Sequence, residues 1–211
     1  MHTKKIITAG KKLEDASNAL VMIHGRGAGA EDILALSDYL EVKDFALLAP
    51  QATGNSWYPY SFLEAPSQNE PWLSSALSLL NDIVNDIVSK GISKENVYFL
   101  GFSQGACLTL EFVTRHATKY GGVVAFTGGL IGDKIYPENY SGDFSGTPVF
   151  IGTSDPDPHV PVERVNNSAE ILEKMNALVT RKIYKNMGHT INNDEIDTVN
   201  KMIFTKEALQ S

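Results

Sequence analysis

The stretch from Asn96 to His116 constrains the fold most, because it combines a strand, a sharp turn and a helix. Residues 97–100 read VYFL, an unbroken run typical of a strand that is buried on both faces. An apolar stripe of helical period begins soon afterwards, at Ala106. Between them, residues 101–105 read GFSQG and match G-x-S-x-G, in which the glycines make room for a strained strand-to-helix turn. The pattern predicts that Ser103 is a nucleophile at the carboxyl end of a strand.

Hydrophobic patterns along the rest of the chain alternate between strands and helices. Further strands are predicted at residues 6–7, 19–23, 45–49, 122–126, 148–152 and 179–184. Helical stripes are formed by Ile33, Leu36 and Leu40; by Leu73, Ala76, Leu77, Leu80, Val84, Ile87 and Val88; by Val162, Val165, Ala169 and Leu172; and by Ile196, Val199 and Ile203. The alternation predicts an α/β fold with an open, mostly parallel sheet and helices on both faces. We expect residues 1–211 to form a single domain.

The charge and the cysteine content exclude several classes of protein. A net charge of −7 argues against a nucleic-acid-binding surface or an anchor to anionic membranes, because both need clustered Lys and Arg. No apolar run is long enough for stable membrane insertion, and the apolar part of the amino terminus is too short for a signal peptide. The single cysteine, Cys107, cannot form an intramolecular disulfide or a multi-thiolate metal site. We therefore predict a cytoplasmic protein.

Candidate partners for Ser103 occur later in the chain. A serine hydroxyl is a poor nucleophile at neutral pH unless a histidine accepts its proton and a carboxylate orients that histidine. After a G-x-S-x-G turn these groups follow in the order Ser, Asp or Glu, His. Asp155 and Asp157 follow the strand at 148–152, and His189 follows the last predicted strand. Such residues also suit ordinary turns, but the upstream elbow favours His189 as the base and leaves both aspartates as candidates.

The glycine-rich loop at residues 24–30, HGRGAGA, allows two interpretations. It fits the dinucleotide-binding pattern G-x-G-x-x-G/A, which requires an acidic residue about 20 residues further on, at the end of the next strand. That strand ends LAPQ, without an acid. The alternative is an oxyanion hole, where two backbone N–H groups stabilise the negative oxygen formed during acyl transfer. We expect one N–H from Gln104 and the second from Arg26.

These motifs resemble those of the phospholipase/carboxylesterase family of small α/β-hydrolases, which includes acyl-protein thioesterases and bacterial carboxylesterases. The resemblance extends over nearly the whole chain. It rests on H-G-x-G at 24–27, G-F-S-Q-G at 101–105, D-P-x-V-P at 157–161 and G-H at 188–189.

The resemblance implies an α/β-hydrolase fold and a triad of Ser103, Asp157 and His189, with the N–H groups of Arg26 and Gln104 as the oxyanion hole. Asp157 is preferred over Asp155 because it carries the P-x-V-P that the family attaches to its acid.

Two positions depart from the family pattern. The family's loop often reads H-G-x-G-D, whereas Ala28 replaces the acid here, and Arg26 occupies a position that is commonly apolar. Both departures bear on the identity of the substrate, since residue 26 edges the acyl site.

The implied function is that of a serine hydrolase, of the carboxylesterase/lysophospholipase or thioesterase type, that cleaves small-molecule carboxylic esters through an acyl-serine intermediate, with no metal and no cofactor. The alternatives are a hydrolase of activated small esters or lactones and a non-catalytic binding module on the same fold. The oligomeric state stays open, and a homodimer is one possibility.

No separate domain is expected to cover the predicted site. Residues 127–147 are too few, and too rich in glycine, to form an independent cap. The acyl wall would then come from loops, and the aromatic-rich segment 51–71 offers Trp57 and Tyr58 as substrate-binding surfaces. The alternative for these two rings is burial in the core.

Overall fold

A seven-stranded sheet forms the centre of the protein in a computed structural model, which describes residues 1–205. The strands are β1 (Ile6–Gly10), β2 (Asn18–Ile23), β3 (Phe45–Pro50), β4 (Val97–Phe102), β5 (Gly122–Phe126), β6 (Pro148–Asp155) and β7 (Leu178–Lys185). The helices are α1 (Ala30–Ala35), α2 (Trp72–Ser89), α3 (Gln104–Arg115), α4 (Val162–Lys174) and α5 (Asn193–Val199). The single domain predicted over residues 1–211 stays a prediction, and its last part, 206–211, lies outside the described residues.

The sheet is open and mostly parallel, as predicted. Its strand order is β1-β3-β2-β4-β5-β6-β7, and only β1 runs antiparallel to its neighbour. Strands β2, β3, β4 and β5 are apolar on both faces and buried, because helices cover both sides of the sheet. The chain leaves β2 towards β3 on one side, while β4 lies on the other side. The loops after β2 and β4 therefore meet at a topological switch point, where open α/β sheets bind ligands.

Helices pack on both faces of the sheet. One buried cluster joins the sheet to α2, α3 and α4 through residues such as Leu80, Leu110 and Val165. The cluster on the opposite face joins the sheet to α1 and α5 through Ile33 and Val199. This arrangement confirms the predicted α/β class.

Two predicted helices end earlier than their apolar stripes. Helix α1 gives way to a 3-10 turn at Leu36–Tyr39, because the N–H of Leu36 already bonds to the Ile33 carbonyl, so Leu40 lies beyond the helix. Helix α5 continues as a π-helical turn over Asn200–Phe204, which still places Ile203 in the core.

The connection from β5 to β6 contains one helical turn, Pro137–Asn139, and an isolated bridge between Ala117 and Gly142. Within the described residues it builds no covering domain. Across residues 1–205, no helix has both the length and the apolar character needed to cross a bilayer.

Helix α5 begins with a reciprocal hydrogen-bonded cap that buries an acid. The Asn192 side chain accepts from the Glu195 N–H at 2.9 Å, and the Glu195 carboxylate accepts from the Asn192 N–H at 2.9 Å. Glu195 is fully buried, and its Oε1, which lies against Gly152 of β6, has no hydrogen-bond partner among the described residues. Burial raises the pKa of Glu195 from 4.5 to about 7, and the Asn192 N–H opposes this shift only in part.

This buried acid predicts a pH dependence of stability. Between pH 4.5 and about 7 the folded protein keeps a proton on Glu195 that the unfolded chain has released, so the free energy of unfolding falls as the pH rises through this window. Glu195→Gln cannot ionise, and its stability relative to the wild type should increase across the window by up to about 3 kcal/mol. Urea denaturation at pH 5, 6, 7 and 8 measures this.

The control, Glu173→Gln, removes the same charge from an exposed site on α4 and should change the unfolding free energy by less than about 0.5 kcal/mol at each pH. Parallel pH profiles for Glu195→Gln and the wild type would contradict the prediction.

Candidate active site

A strained turn holds Ser103 at the junction of β4 and α3. Its backbone has φ of 55° and ψ of −118°, in a region that residues other than glycine rarely adopt. A Cβ at Gly101 would overlap the carbonyl of Gly105, and a Cβ at Gly105 would overlap the carbonyl of Ile23. The two glycines therefore allow α3 to lie directly against β2 and β4. The turn leaves the serine hydroxyl at the carboxyl edge of the sheet.

The hydroxyl of Ser103 meets an imidazole and a carboxylate in a continuous chain of contacts. His189 Nε2 lies 2.8 Å from Ser103 Oγ, and His189 Nδ1 lies 2.9 Å from Asp157 Oδ2. The rings of Phe102 and His159 pack on the imidazole with centroid distances of 5.3 and 4.9 Å. The structure thus brings together the serine, histidine and aspartate that the sequence indicates.

The environment of Asp157 favours its charged form. Burial alone would raise its pKa, but the N–H groups of His159 and Val160 both donate to Oδ1 at 2.8 Å, and His189 contacts Oδ2. Together these contacts hold the pKa of Asp157 below its ordinary value. Asp155 is exposed, and its backbone carbonyl accepts from the Asn186 N–H. Asp157, and not Asp155, therefore contacts the imidazole.

The two N–H groups predicted to form the oxyanion hole belong to α3 and to the glycine-rich loop. The Gln104 N–H belongs to the first residue of α3, where a helix offers no internal acceptor. The glycine-rich loop lies close to the serine, since a Cβ at Gly25 would be 3.5 Å from Ser103 Cβ. Within that loop the Gly27 N–H donates to the Asn55 carbonyl, and the Ala28 N–H donates to the Gly25 carbonyl. These two bonds hold the loop and do not involve the Arg26 N–H.

The His24 side chain stabilises this loop through two hydrogen bonds. Its Nε2 accepts from the Ala52 N–H at 3.1 Å, which places the ring proton on Nδ1, where it donates to the Gly25 carbonyl at 2.8 Å. Burial lowers the pKa of His24, which favours this neutral tautomer.

A cavity of about 570 Å³ opens beside Ser103. Its lining residues are Arg26, Tyr58, Pro59, Tyr60, Ser61, Phe62, Leu63, Ser103, Gln104, Cys107, Pro158, His159, Val160 and His189. One wall of the cavity is mainly apolar and is formed by Tyr58, Pro59, Phe62, Leu63 and Val160. This wall is built from the segment after β3 and from the loop that carries Asp157.

Of the two aromatic residues predicted to bind substrate, Tyr58 borders this cavity and Trp57 does not, although both side chains are almost completely buried. Trp57 is fully buried, its Nε1 donates to the His24 carbonyl at 2.8 Å, and its ring packs against the rings of His2 and His24. The structure thus places both rings in the core, which is the alternative that the sequence left open for them, and Tyr58 also borders the cavity. The aromatic content of segment 51–71, which includes Phe62, indicated a pocket wall, whereas no sequence pattern indicated that Leu63 of the same segment lines the cavity.

Two side chains, those of Arg26 and Gln104, fix the segment that forms the wall. Gln104 accepts from the Trp57 N–H and donates to the Tyr58 carbonyl, both at 2.9 Å. The Arg26 Nη1 donates to Ser56 Oγ at 3.0 Å and to the Pro59 carbonyl at 2.9 Å, and Nη2 donates to the Tyr60 carbonyl at 2.6 Å. The residues expected to supply backbone N–H groups therefore also hold the wall in place. No sequence pattern indicated these side-chain contacts.

In the part of the chain that the structure describes, no group of three or more His, Cys, Asp or Glu side chains could hold a metal ion.

Substitutions of the two aspartates test which of them supports Ser103. Asp157→Asn should slow covalent labelling of Ser103 by a fluorophosphonate probe about 10³-fold or more, because the imidazole loses the carboxylate that orients it. Asp155→Asn, two residues away and exposed, serves as the matched control and should change the rate less than about threefold. The second-order rate constant of labelling is the measurement. A larger loss in Asp155→Asn than in Asp157→Asn would reverse the assignment.

The chain is similar in sequence and in structure to several known proteins. The chain matches the family model described as Phospholipase/Carboxylesterase over residues 3–206. The crystal structure of a phospholipase/carboxylesterase from Dyadobacter fermentans DSM 18053 is similar, with a TM-score of 0.96, 55% identity, and coverage of 97% of this chain and 98% of that one. Acyl-protein thioesterase 1 of Saccharomyces cerevisiae is 28% identical over 95% of this chain and 96% of its own length. A probable carboxylesterase of Arabidopsis thaliana, SOBER1-like, is 27% identical over 93% of this chain and 80% of its own length. Since the family model spans nearly the whole sequence, this chain belongs to the phospholipase/carboxylesterase family of carboxylic ester hydrolases.

Proposed function

We propose that this protein hydrolyses small-molecule carboxylic esters through an acyl-Ser103 intermediate. The observation that supports this most is the continuous contact from Ser103 Oγ to His189 and from His189 to Asp157, at 2.8 and 2.9 Å, beside an open cavity. Contacts of this length are within hydrogen-bond reach and suit proton transfer from a serine to a histidine base.

In the proposed acylation step, Ser103 Oγ attacks the ester carbonyl while His189 Nε2 takes the hydroxyl proton. Asp157 accepts a hydrogen bond from Nδ1–H and stabilises the imidazolium that forms. The imidazolium then donates its proton to the departing alcohol. In the second step, His189 activates a water molecule that releases the acid from Ser103.

The proposed oxyanion hole consists of the N–H groups of Arg26 and Gln104. Both residues line the cavity, and each comes from a loop or helix start whose backbone is held in place by other contacts. Such pre-positioned donors stabilise the negative oxygen without reorganisation during the reaction.

The acyl chain is proposed to lie against the apolar wall formed by Tyr58, Phe62 and Leu63. Trp57 would act only indirectly, by supporting that wall from the core. Because no part of the described chain covers the site, we propose that short, soluble esters enter directly from solution. A cytoplasmic location is part of the same proposal.

Two related reactions use the same chemistry. Thioesters are candidate substrates beside oxygen esters, because relatives of this chain are named acyl-protein thioesterase and probable carboxylesterase. Activated esters and lactones need no other catalytic group. A panel of oxygen esters, thioesters and lactones with matched acyl lengths would rank these classes by kcat/KM.

Removal of the nucleophile tests the proposed reaction. The wild type should hydrolyse p-nitrophenyl acetate or butyrate without added metal or cofactor, and Ser103→Ala should lower kcat about 10⁴-fold or more. Release of p-nitrophenolate measures the rate, and mass spectrometry of the wild type should detect the acyl adduct on Ser103. The control Ser89→Ala changes an exposed serine at the end of α2 and should retain full activity. Wild-type activity in Ser103→Ala would refute the proposal.

The uncovered cavity predicts simple dependence on dissolved substrate. Since nothing in residues 1–205 has to open before substrate enters, initial rates for a series of p-nitrophenyl esters should follow a smooth saturation curve. Rates measured below and above the micellar threshold of each ester check this. A sharp rise in rate as micelles form would contradict it.

A further inference from the structure

The cavity beside Ser103 carries one permanent charge, and that charge is positive. Among the described residues that line this cavity, Arg26 is the only one with a permanently charged side chain. The whole chain carries a net charge of −7, so this positive site contrasts with the average charge of the protein. A cation in a cleft without acids attracts a negatively charged group of a ligand.

The guanidinium of Arg26 is held in place by neutral groups. Its three hydrogen bonds go to Ser56 Oγ and to the carbonyls of Pro59 and Tyr60. Among residues 1–205, no carboxylate oxygen forms an ion pair with it within 4.0 Å. The charge of Arg26 is therefore fixed in position but not balanced by the protein.

Part of the donor capacity of Arg26 is unused. A guanidinium has five N–H groups, and the three bonds occupy two on Nη1 and one on Nη2. Among residues 1–205, the N–H of Nε and one N–H of Nη2 have no hydrogen-bond partner, and the N–H groups of a guanidinium can pair with the oxygens of a carboxylate. Because three bonds already restrain the side chain, pairing with a ligand costs little additional entropy.

The location of the guanidinium indicates which part of a substrate it faces. It bonds to Pro59 and Tyr60, which belong to the same segment as Tyr58, and it lies over the Tyr58 ring with its Cζ 5.9 Å from the ring centroid. That segment is the wall against which the acyl chain is proposed to lie. The guanidinium of Arg26 therefore lies next to the acyl side of the cavity, and its side chain is exposed there.

We infer that this protein prefers esters whose acyl chain ends in a carboxylate, such as half-esters of short dicarboxylic acids, and that Arg26 binds that carboxylate. This inference rests on the proposed ester hydrolysis at Ser103. One unbalanced positive charge matches a single carboxylate better than a phosphate dianion. Hydrolysis of a half-ester would release the alcohol and the dicarboxylate through the same acyl-serine steps.

The test compares kcat/KM for monomethyl succinate and monomethyl glutarate with kcat/KM for methyl butyrate and methyl valerate, by pH-stat titration. The ratio of the anionic to the neutral ester within one protein cancels any general effect of a variant on the wall or on the oxyanion hole. In Arg26→Gln this ratio should fall about tenfold, as expected for loss of a charge-assisted hydrogen bond. Arg26→Lys keeps the charge and should retain an intermediate ratio.

The matched control is Arg181→Gln, which removes the same charge from an exposed position on β7 and should leave the ratio within twofold of the wild type. A fall of less than threefold in Arg26→Gln, or an equal fall in Arg181→Gln, overturns the inference. If the wild type hydrolysed none of the four esters, the proposed ester hydrolysis would itself fail.

A second measurement needs no variant. Succinamate and butyramide, which differ chiefly in the carboxylate, are compared as competitive inhibitors of p-nitrophenyl butyrate hydrolysis by the wild type. Succinamate should have an inhibition constant about tenfold lower. Equal inhibition constants would overturn the carboxylate preference while leaving ester hydrolysis intact.

Discussion

The close contact between α3 and the sheet at Ser103 is the constraint on which the rest of the site depends. Gly105 allows the first turn of α3 to lie against the Ile23 carbonyl of β2, where any side chain would overlap it. This contact forces the chain to reverse within one residue and places Ser103 at a φ of 55°. A residue with a Cβ at position 101 or 105 would push the helix away from the sheet, and the serine hydroxyl would lose its position.

Parallel strands supply the other groups at the same edge of the sheet. Asp157 follows β6 and His189 follows β7, so both loops emerge beside the turn after β4. Each loop is then held by its own hydrogen bonds. Two backbone N–H groups orient the Asp157 carboxylate, and the Gly188 N–H donates to Ser154 Oγ at 2.9 Å beside His189. Rigid positioning of this kind makes contacts of 2.8 and 2.9 Å possible between residues far apart in sequence.

Arg26 connects the two parts of the site that a substrate would meet. Its backbone belongs to the glycine-rich loop beside Ser103, and its side chain holds the segment that carries Tyr58. The arginine therefore contributes both to the packing of the wall and to its charge. A single substitution in the loop can therefore alter substrate preference without changing the groups proposed to act on the ester bond.

The sequence by itself determined the α/β class, the position of the elbow and the chain order of the serine, aspartate and histidine. These features are local, because apolar runs, a five-residue turn and residues after strand ends can be recognised within short windows. Only the tertiary structure decided that Asp157 contacts His189, that Trp57 and Tyr58 are both buried with Tyr58 bordering the cavity, and where the α1 and α5 helices end. It also decided the direction of the Arg26 side chain, whose acceptors lie 30 to 34 residues away in sequence. Such directions depend on contacts between distant segments, and neither periodicity nor local propensity encodes them.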